Sequence, residues 1–251
     1  MSATLSLIGI GCGDPEQLTL AAIRAINAAD LILIPCKGAD KSDLADLRRT
    51  ICARALGGKR TRLVEFNLPE RDTRREDYRD SVDAWHDAVA AAWARQIVTH
   101  LGNEGKIALL IWGDPSLYDS SLRIARRLDV ISEIEVIPGI TSIQALCAAH
   151  KMPLNDIGEP FLVTTGRLLR EAGWPPGADT VVVMLDGGAA FQSLDPTGVQ
   201  IWWGAYLGMP DQIIQAGLLC EVGEKIIELR RHARERHGWI MDSYILKRAS
   251  R

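Results

Sequence analysis

Two Gly-Asp-Pro tripeptides, Gly13-Asp14-Pro15 and Gly113-Asp114-Pro115, carry the clearest chemical signal in this sequence. Each follows a dense aliphatic run, Leu5–Ile10 in one case and Leu109–Trp112 in the other. Glycine lets a backbone approach a ligand closely or take φ > 0. Proline fixes φ, removes a donor and suits the first position of a helix. The aspartate between them can serve as a ligand, as an acid or base, or as a helix cap. At the carboxyl end of a buried parallel strand, such a turn stands where open α/β sheets bind ligands. A third turn, Pro138-Gly139-Ile140-Thr141-Ser142, sets two hydroxyls beside a helix start. That arrangement suits a carboxylate or phosphate, or simple capping by Ser142.

Other chemistry-bearing residues are weaker signals. Between Lys37 and Arg79 stand twelve Lys and Arg against eight Asp and Glu, a balance of +4 that leaves −7 for the rest. This basic segment reads either as a site for an anionic ligand or as a solvated helical face. Gly9, Gly11 and Gly13 lack the later glycine of a dinucleotide fingerprint, and no acidic residue closes a second strand at the required distance. Gly58-Lys59-Arg60 lacks the Ser/Thr and upstream glycine of a P-loop. His86 and His100 have no partners at metal-ligand spacing, so no metal is expected. The five cysteines (12, 36, 52, 147 and 220) form no C-x-x-C pair and sit among aliphatic residues. They read as small buried hydrophobes in a reducing compartment.

The elements that would position these residues alternate. Thr4–Ile10 reads as a strand. Asp14 (N-cap), Pro15 (N1) and Gln17 (capping box) then start a helix running through Leu18–Ala29, with Leu20, Ile23 and Ile26 facing inward. Leu31–Ile34 is a second buried strand, ended by Pro35. Helical composition covers Lys41–Ala55 and Ser81–Leu101, the latter with Trp85, Ala88, Ala92 and Trp93 near helical spacing and more at home in a core than on a cofactor. Leu63–Leu68 and Ile107–Trp112 are strands, followed by a basic helix about Ser120–Leu128, a strand at Ile134–Ile137 and a helix at Ile143–Ala149. Lys151–Pro160 has linker composition. The pattern then restarts with strands at Phe161–Thr164, Thr180–Leu185 and Ile201–Tyr206. A helix begins at Gly208–Gln212, and a charged helix (Glu221–Arg236) and a strand at Trp239–Leu246 close the chain. Strands alternating with helices in both halves predict an α/β protein of two domains, 1–153 and 154–251.

At 251 residues, 47% hydrophobic and 24% charged, the composition is that of an ordinary globular protein. A net charge of −3 and a pI near 6.0 speak against a nucleic-acid partner. No apolar run of about 18 residues predicts a membrane span, and the amino terminus has no secretory pattern, so a cytoplasmic location is expected.

Taken together the motifs resemble the tetrapyrrole (corrin/porphyrin) methyltransferase family. The landmarks stand in register: Ile8 through Leu20 with its Gly-Asp-Pro, then Gly113-Asp114-Pro115, then Pro138–Ser142, then Tyr206-Leu207-Gly208-Met209-Pro210-Asp211-Gln212. Within the family, several segments resemble the deacetylating subgroup of the cobalamin pathway. They are Lys37-Gly38 through Arg49, Trp112–Ser120, Thr164–Arg167 and His237–Asp242. Cys12 departs from the proline many members carry at that position. The resemblance implies two αβα domains with the active site in the cleft between them, S-adenosylmethionine as methyl donor, S-adenosylhomocysteine as product, and a homodimer. It implies methylation of precorrin-5 at C1, with water consumed and the acetyl group lost as acetate.

Carried over by position, the cofactor contacts implied are Gly113, Asp114, Leu117, Thr141, Ser142, Met184 or Leu185, Ala205 or Leu207, and Trp239, Ile240 and Met241. Asp114 or Tyr118 is expected to move a proton or activate water during deacetylation, with simple helix capping by Asp114 as the alternative. Arginine pairs with carboxylates bidentately. Lys37, Lys41, Arg48, Arg49, Arg74, Arg75 and Arg167 are therefore expected to grip the carboxylate rim of the macrocycle, with Cys12 also on the substrate side. The rivals are another precorrin methyltransferase, an RNA methyltransferase disfavoured by the acidic pI, a dinucleotide oxidoreductase opposed by the broken glycine fingerprint, and a non-catalytic binding module.

Overall fold

The computed structural model describes residues 3–36, 42–58, 61–71, 78–102 and 104–248. Among these residues the strands form two five-stranded sheets, and the chain divides into two compact units, Met1–Thr141 and Ser142–Arg251.

The first unit is a parallel sheet of β1 (Ala3–Gly9), β2 (Leu31–Cys36), β3 (Arg62–Asn67), β4 (Gly105–Ile111) and β5 (Ile131–Ile137), ordered β3-β2-β4-β1-β5. Its helices are α1 (Leu20–Ala28), α2 (Ser42–Ala55), α3 (Tyr78–Leu101) and α4 (Ser121–Ala125). The aliphatic runs of β1 and β4 are continuous because both faces of these central strands are covered. Leu5, Leu7 and Leu109 pack on one face with Trp93 and Ile97 of α3. Ile8, Ile32 and Leu110 pack on the other with Ile26 of α1 and Ile51 of α2.

Local expectations needed correction where tertiary contacts decide. Asp14 accepts from the Glu16 amide (2.9 Å), but it caps only a single 3-10 turn, Pro15–Gln17. The α-helix begins at Leu20 with Thr19 as its cap, which rotates Leu20 outward to 74% exposure. Pro35 does not end β2. The Cys36 carbonyl accepts from Leu68 on the β3 side, so by alternation the nitrogen of Pro35 faces the β4 side, where pairing has stopped at Leu33. No ladder bond is lost there. Pro115 starts no helix; a turn occupies 115–118, and α4 begins at Ser121 and is one short turn long.

The second unit carries a mixed sheet of β6 (Phe161–Thr165), β7 (Thr180–Met184), β8 (Val199–Ala205), β9 (Ile213–Leu218) and β10 (Asp242–Arg248), ordered β6-β7-β10-β8-β9. Only β6 and β7 run parallel to one another; the other pairs are antiparallel. Helices α5 (Ser142–His150), α6 (Gly166–Ala172) and α7 (Leu219–His237) accompany it. The predicted helix after Gly208 is instead a tight turn, in which Gln212 Oε1 accepts from the Gly208 amide (2.9 Å), and the chain returns as β9. The last strand begins at Asp242 rather than Trp239. The predicted division at 153/154 falls in the segment joining the two sheets; packing density divides the chain at 141/142 because α5 lies against β8 and β10.

Candidate active site

In the first unit three loops meet at the carboxyl ends of the adjacent strands β4, β1 and β5, and they meet main chain to main chain. The Gly113 amide donates to the Gly11 carbonyl (2.8 Å), the Ile10 amide to Ile111 (2.9 Å), and Gly11 and Gly113 form an isolated antiparallel bridge. A Cβ on Gly139 would lie 2.1 Å from the Gly113 carbonyl oxygen, and one on Gly9 would lie 2.6 Å from the Gly139 nitrogen. Glycine is required at both positions for space. The first glycine motif is therefore a packing device between strands, which accounts for its departure from the dinucleotide pattern.

Asp114 ties two of these loops. Its Oδ1 accepts from the amide of Ser116 (2.8 Å) and from its hydroxyl, while Oδ2 accepts from the Gly139 amide (2.9 Å). Burial is the largest single influence and opposes ionisation, but the three hydrogen bonds together hold the carboxyl below its ordinary value. Asp114 is thus an anion whose lone pairs are committed, and a poor proton acceptor near neutral pH. Leu117 donates its amide to the Asp114 carbonyl (3.2 Å) and is half-buried. Tyr118 takes φ of +51°, a left-handed conformation uncommon for an aromatic residue, and is 44% exposed. Burial of its hydroxyl raises the pKa, so Tyr118 is a hydrogen-bond donor at neutral pH.

The expected substrate-gripping cations fare differently. Arg48 is buried; its Nε donates to the Leu110 carbonyl (3.1 Å) and its guanidinium stands 5.3 Å from the Trp112 ring centre. Burial pulls its pKa down to about 10, against the opposing influence of Asp119. Arg49 pairs with Glu65 (2.6 Å) and with Asp46 on its own helix. Arg167 stands 4.0 Å from Glu171, one turn further along α6. Lys37, Lys41, Arg74 and Arg75 lie outside the described residues. Cys12 is buried, its Sγ 3.8 Å from the Ile140 carbonyl; burial pushes the thiol up to about 12, so it stays protonated. Cys52 is buried as well, whereas Cys220 is exposed at the start of α7, contrary to the expectation that all five are interior.

In the second unit the carried-over positions lie on three connected segments. Met184 ends β7, and Leu185 beyond it takes φ of +53° and is 64% exposed. Ala205 is fully buried at the end of β8, opposite Asp242, and Leu207 is buried two residues on. Between them Tyr206 (φ +51°) donates its amide to Met241 (3.0 Å) and its hydroxyl to the Trp239 carbonyl (2.6 Å). This binds 205–207 to the half-buried residues Trp239, Ile240 and Met241.

Beneath them lies an ionic network that sequence reasoning missed. Asp186 accepts from Tyr244 (2.7 Å), Arg170 (3.1 Å) and the amides of Gly188 and Ala190. Arg230 donates to Asp242 (2.6 Å) and to the Asp186 carbonyl (2.6 Å), and Trp203 Nε1 also donates to Asp242 (2.8 Å). The available signal was Asp186-Gly187-Gly188 directly after a buried strand, a turn in which a carboxylate caps exposed amides. Among the described residues, no group of three His, Cys, Asp or Glu could hold a metal ion.

The family model for tetrapyrrole (corrin/porphyrin) methylases matches residues 4–223. The chain belongs to this family. Among methylases of this kind it is 48% identical over 248 residues to "Precorrin-6A synthase [deacetylating]" of Sinorhizobium sp, covering 97% of this chain and 95% of that one. A crystal structure of a cobalamin synthesis related protein (CobF) from Corynebacterium diphtheriae superposes with a TM-score of 0.83, 38% identity and full coverage of both chains. Uroporphyrin-III C-methyltransferase from Thermus thermophilus, solved with S-adenyl homocysteine, shares the fold at 20% identity and a TM-score of 0.58, with 97% of each chain covered.

Proposed function

We propose that this tetrapyrrole methylase is a precorrin-6A synthase of the deacetylating type, using S-adenosylmethionine to methylate C1 of precorrin-5 and releasing the acetyl group as acetate. The observation carrying this reading is the 48% identity, extending over nearly the whole of both chains, to a relative bearing that name. The chain's own residues suit the cofactor. The segments 113–118 and 138–142 offer main-chain groups, the hydroxyls of Ser116, Thr141 and Ser142, and the single carboxylate of Asp114. They contain no Lys, Arg or His, so a sulfonium placed there meets no like charge. When bound, S-adenosylmethionine supplies a methyl group open to in-line displacement.

The protein's part is to position and to exclude water. In-line transfer needs the reacting carbons held about 3–3.5 Å apart, which calls for a rigid wall. The glycine contacts and the Asp114 tie supply that rigidity. In deacetylation, water adds to the acetyl carbonyl and loses a proton. The bond to C1 breaks as acetate leaves, its electron pair passing into the macrocycle, and C1 then bonds to the methyl carbon. The neutral phenol of Tyr118 is suited to donate a hydrogen bond to the oxyanion that develops on the acetyl oxygen. Asp114 is assigned the anchoring role.

The test is incubation with precorrin-5 and S-adenosylmethionine, followed by product mass and acetate. Methyl gain with one acetate released per turnover is expected. Methyl gain with the acetyl group retained would make the protein a different precorrin methyltransferase.

A further inference from the structure

A cavity of about 210 Å³ lies wholly within the first unit, between the carboxyl half of β4, α3 and α4. Three indoles (Trp85, Trp93 and Trp112) and aliphatic side chains form its apolar wall, and Arg48, Asp119 and Ser120 its polar one. Three features set it apart from a packing defect. The first is its charge: Arg48 places a guanidinium on the wall of an otherwise apolar space, fixed by its bond to the Leu110 carbonyl and by the face of Trp112. The second is a pair of unmatched donors. The indole N–H groups of Trp93 and Trp112 are buried and have no acceptor; a buried N–H left in that state costs about 1–3 kcal/mol, and native interiors rarely tolerate it without water or a ligand. The third is location, because Trp112 and Asp119 bracket the 113–118 loop in the sequence.

The wall chemistry selects an occupant. Donors outnumber acceptors, so the guest must bring acceptor oxygens. Most of the surface is aromatic or aliphatic, so it must also bring a small apolar part. The volume is several times the roughly 30 Å³ share of one liquid water, enough for a few heavy atoms. Asp119, whose Oδ1 accepts from the Ser121 amide (2.6 Å), adds one negative charge and limits the cavity to a guest of at most one charge.

We infer that this cavity is an acyl subsite, which takes the two-carbon acyl group of the substrate and retains it as acetate after cleavage. Its oxygens face Arg48 and the two indole N–H groups, and its methyl lies against the indole faces. The assignment rests on the deacetylating reading given above. It explains why that reading calls for a buried arginine where a rim-gripping one would be exposed.

The test uses the whole protein and sodium acetate at constant ionic strength, balanced with chloride. Tryptophan emission and saturation transfer to the acetate methyl report binding without substrate or cofactor. Saturable binding is expected in the wild type, weakened at least tenfold by Arg48→Met and several-fold by Trp112→Phe, which keeps the ring and removes the N–H. Circular dichroism checks that each variant folds, and Trp112→Phe keeps the test decisive if Arg48→Met does not. Absence of saturable binding, or equal binding in both variants, overturns the proposal. Affinity rising steadily from acetate to butyrate also overturns it, assigning the cavity to a longer carboxylate arm. The two readings fail separately: acetate released from precorrin-5 by a protein that does not bind acetate removes the subsite alone. Acetate binding by a protein that leaves precorrin-5 acetylated removes the reaction and leaves a carboxylate site without its role in that chemistry.

Discussion

Asp114 and Tyr118 are four residues apart, yet their surroundings prepare them for opposite tasks. The carboxylate is consumed by three hydrogen bonds, whereas the phenol is kept protonated on an exposed, left-handed turn. Asp114→Asn replaces an acceptor facing the Gly139 amide with a group whose nitrogen cannot accept. It should cost about 1–3 kcal/mol in chemical denaturation and weaken S-adenosylhomocysteine binding by calorimetry. Tyr118→Phe should leave both nearly unchanged and slow acetate release by about 10²-fold. Equal effects on binding and release in the two variants would contradict this division of labour.

His86 gives a second residue-scale prediction. It is buried on α3 with neither ring nitrogen partnered. Burial, then the charge of Arg127, hold its pKa below the ordinary 6.5, against weaker opposition from Asp83 and Asp87. A histidine neutral when folded takes up its proton more readily when unfolded. Its contribution to stability is therefore present above pH 6.5 and lost as pH falls through the lower folded value. Thermal melts between pH 5 and 7.5 should show this decline, and His86→Leu should flatten it.

At the scale of elements, the decisive contacts are backbone to backbone. Gly139→Ala forces a methyl against the Gly113 carbonyl and should cost about 1–3 kcal/mol or more, with loss of S-adenosylhomocysteine binding. Gly57→Ala, where an added Cβ meets only Asn27 at 3.5 Å, should be close to neutral in the same denaturation assay. The contrast bears on what a sequence can disclose. Strands β1, β2, β4 and β7 were legible because burial on both faces writes an uninterrupted aliphatic run. The sites after β4 and β5 were legible because glycine and proline punctuate them. The start of α1 was misplaced because Asp14-Pro15 and Thr19 both offer valid caps, and only packing chooses between them. Strand β9 was hidden because Met209-Pro210-Asp211-Gln212 has the composition of a helix start, while the Gln212 side chain closes a turn instead. Arg48 looked like a surface cation because nothing local reveals that α2 turns it toward β4.

For the molecule as a whole, each unit has its own means of fixing its loops. The first uses main-chain contact; the second uses buried charge. Arg230 and Asp242 are almost fully enclosed and share partners with Asp186 and Trp203. Arg230→Met leaves a carboxylate buried without its cation and should destabilise the protein by about 3–5 kcal/mol, read as a large drop in denaturation midpoint. The same variant should also loosen the 239–241 segment, seen as faster amide exchange at Met241 and Asp242. The glycine contacts have a further consequence for how such a protein can change. A ligand wall made of main chain presents few side chains for mutation to alter, so drift at most neighbouring positions leaves it intact. The indole-lined cavity beside it is made of side chains and can be reshaped one residue at a time. Selection for a new acyl group would therefore concentrate its substitutions at Trp93, Trp112 and Arg48, while the glycines of the three loops stay fixed.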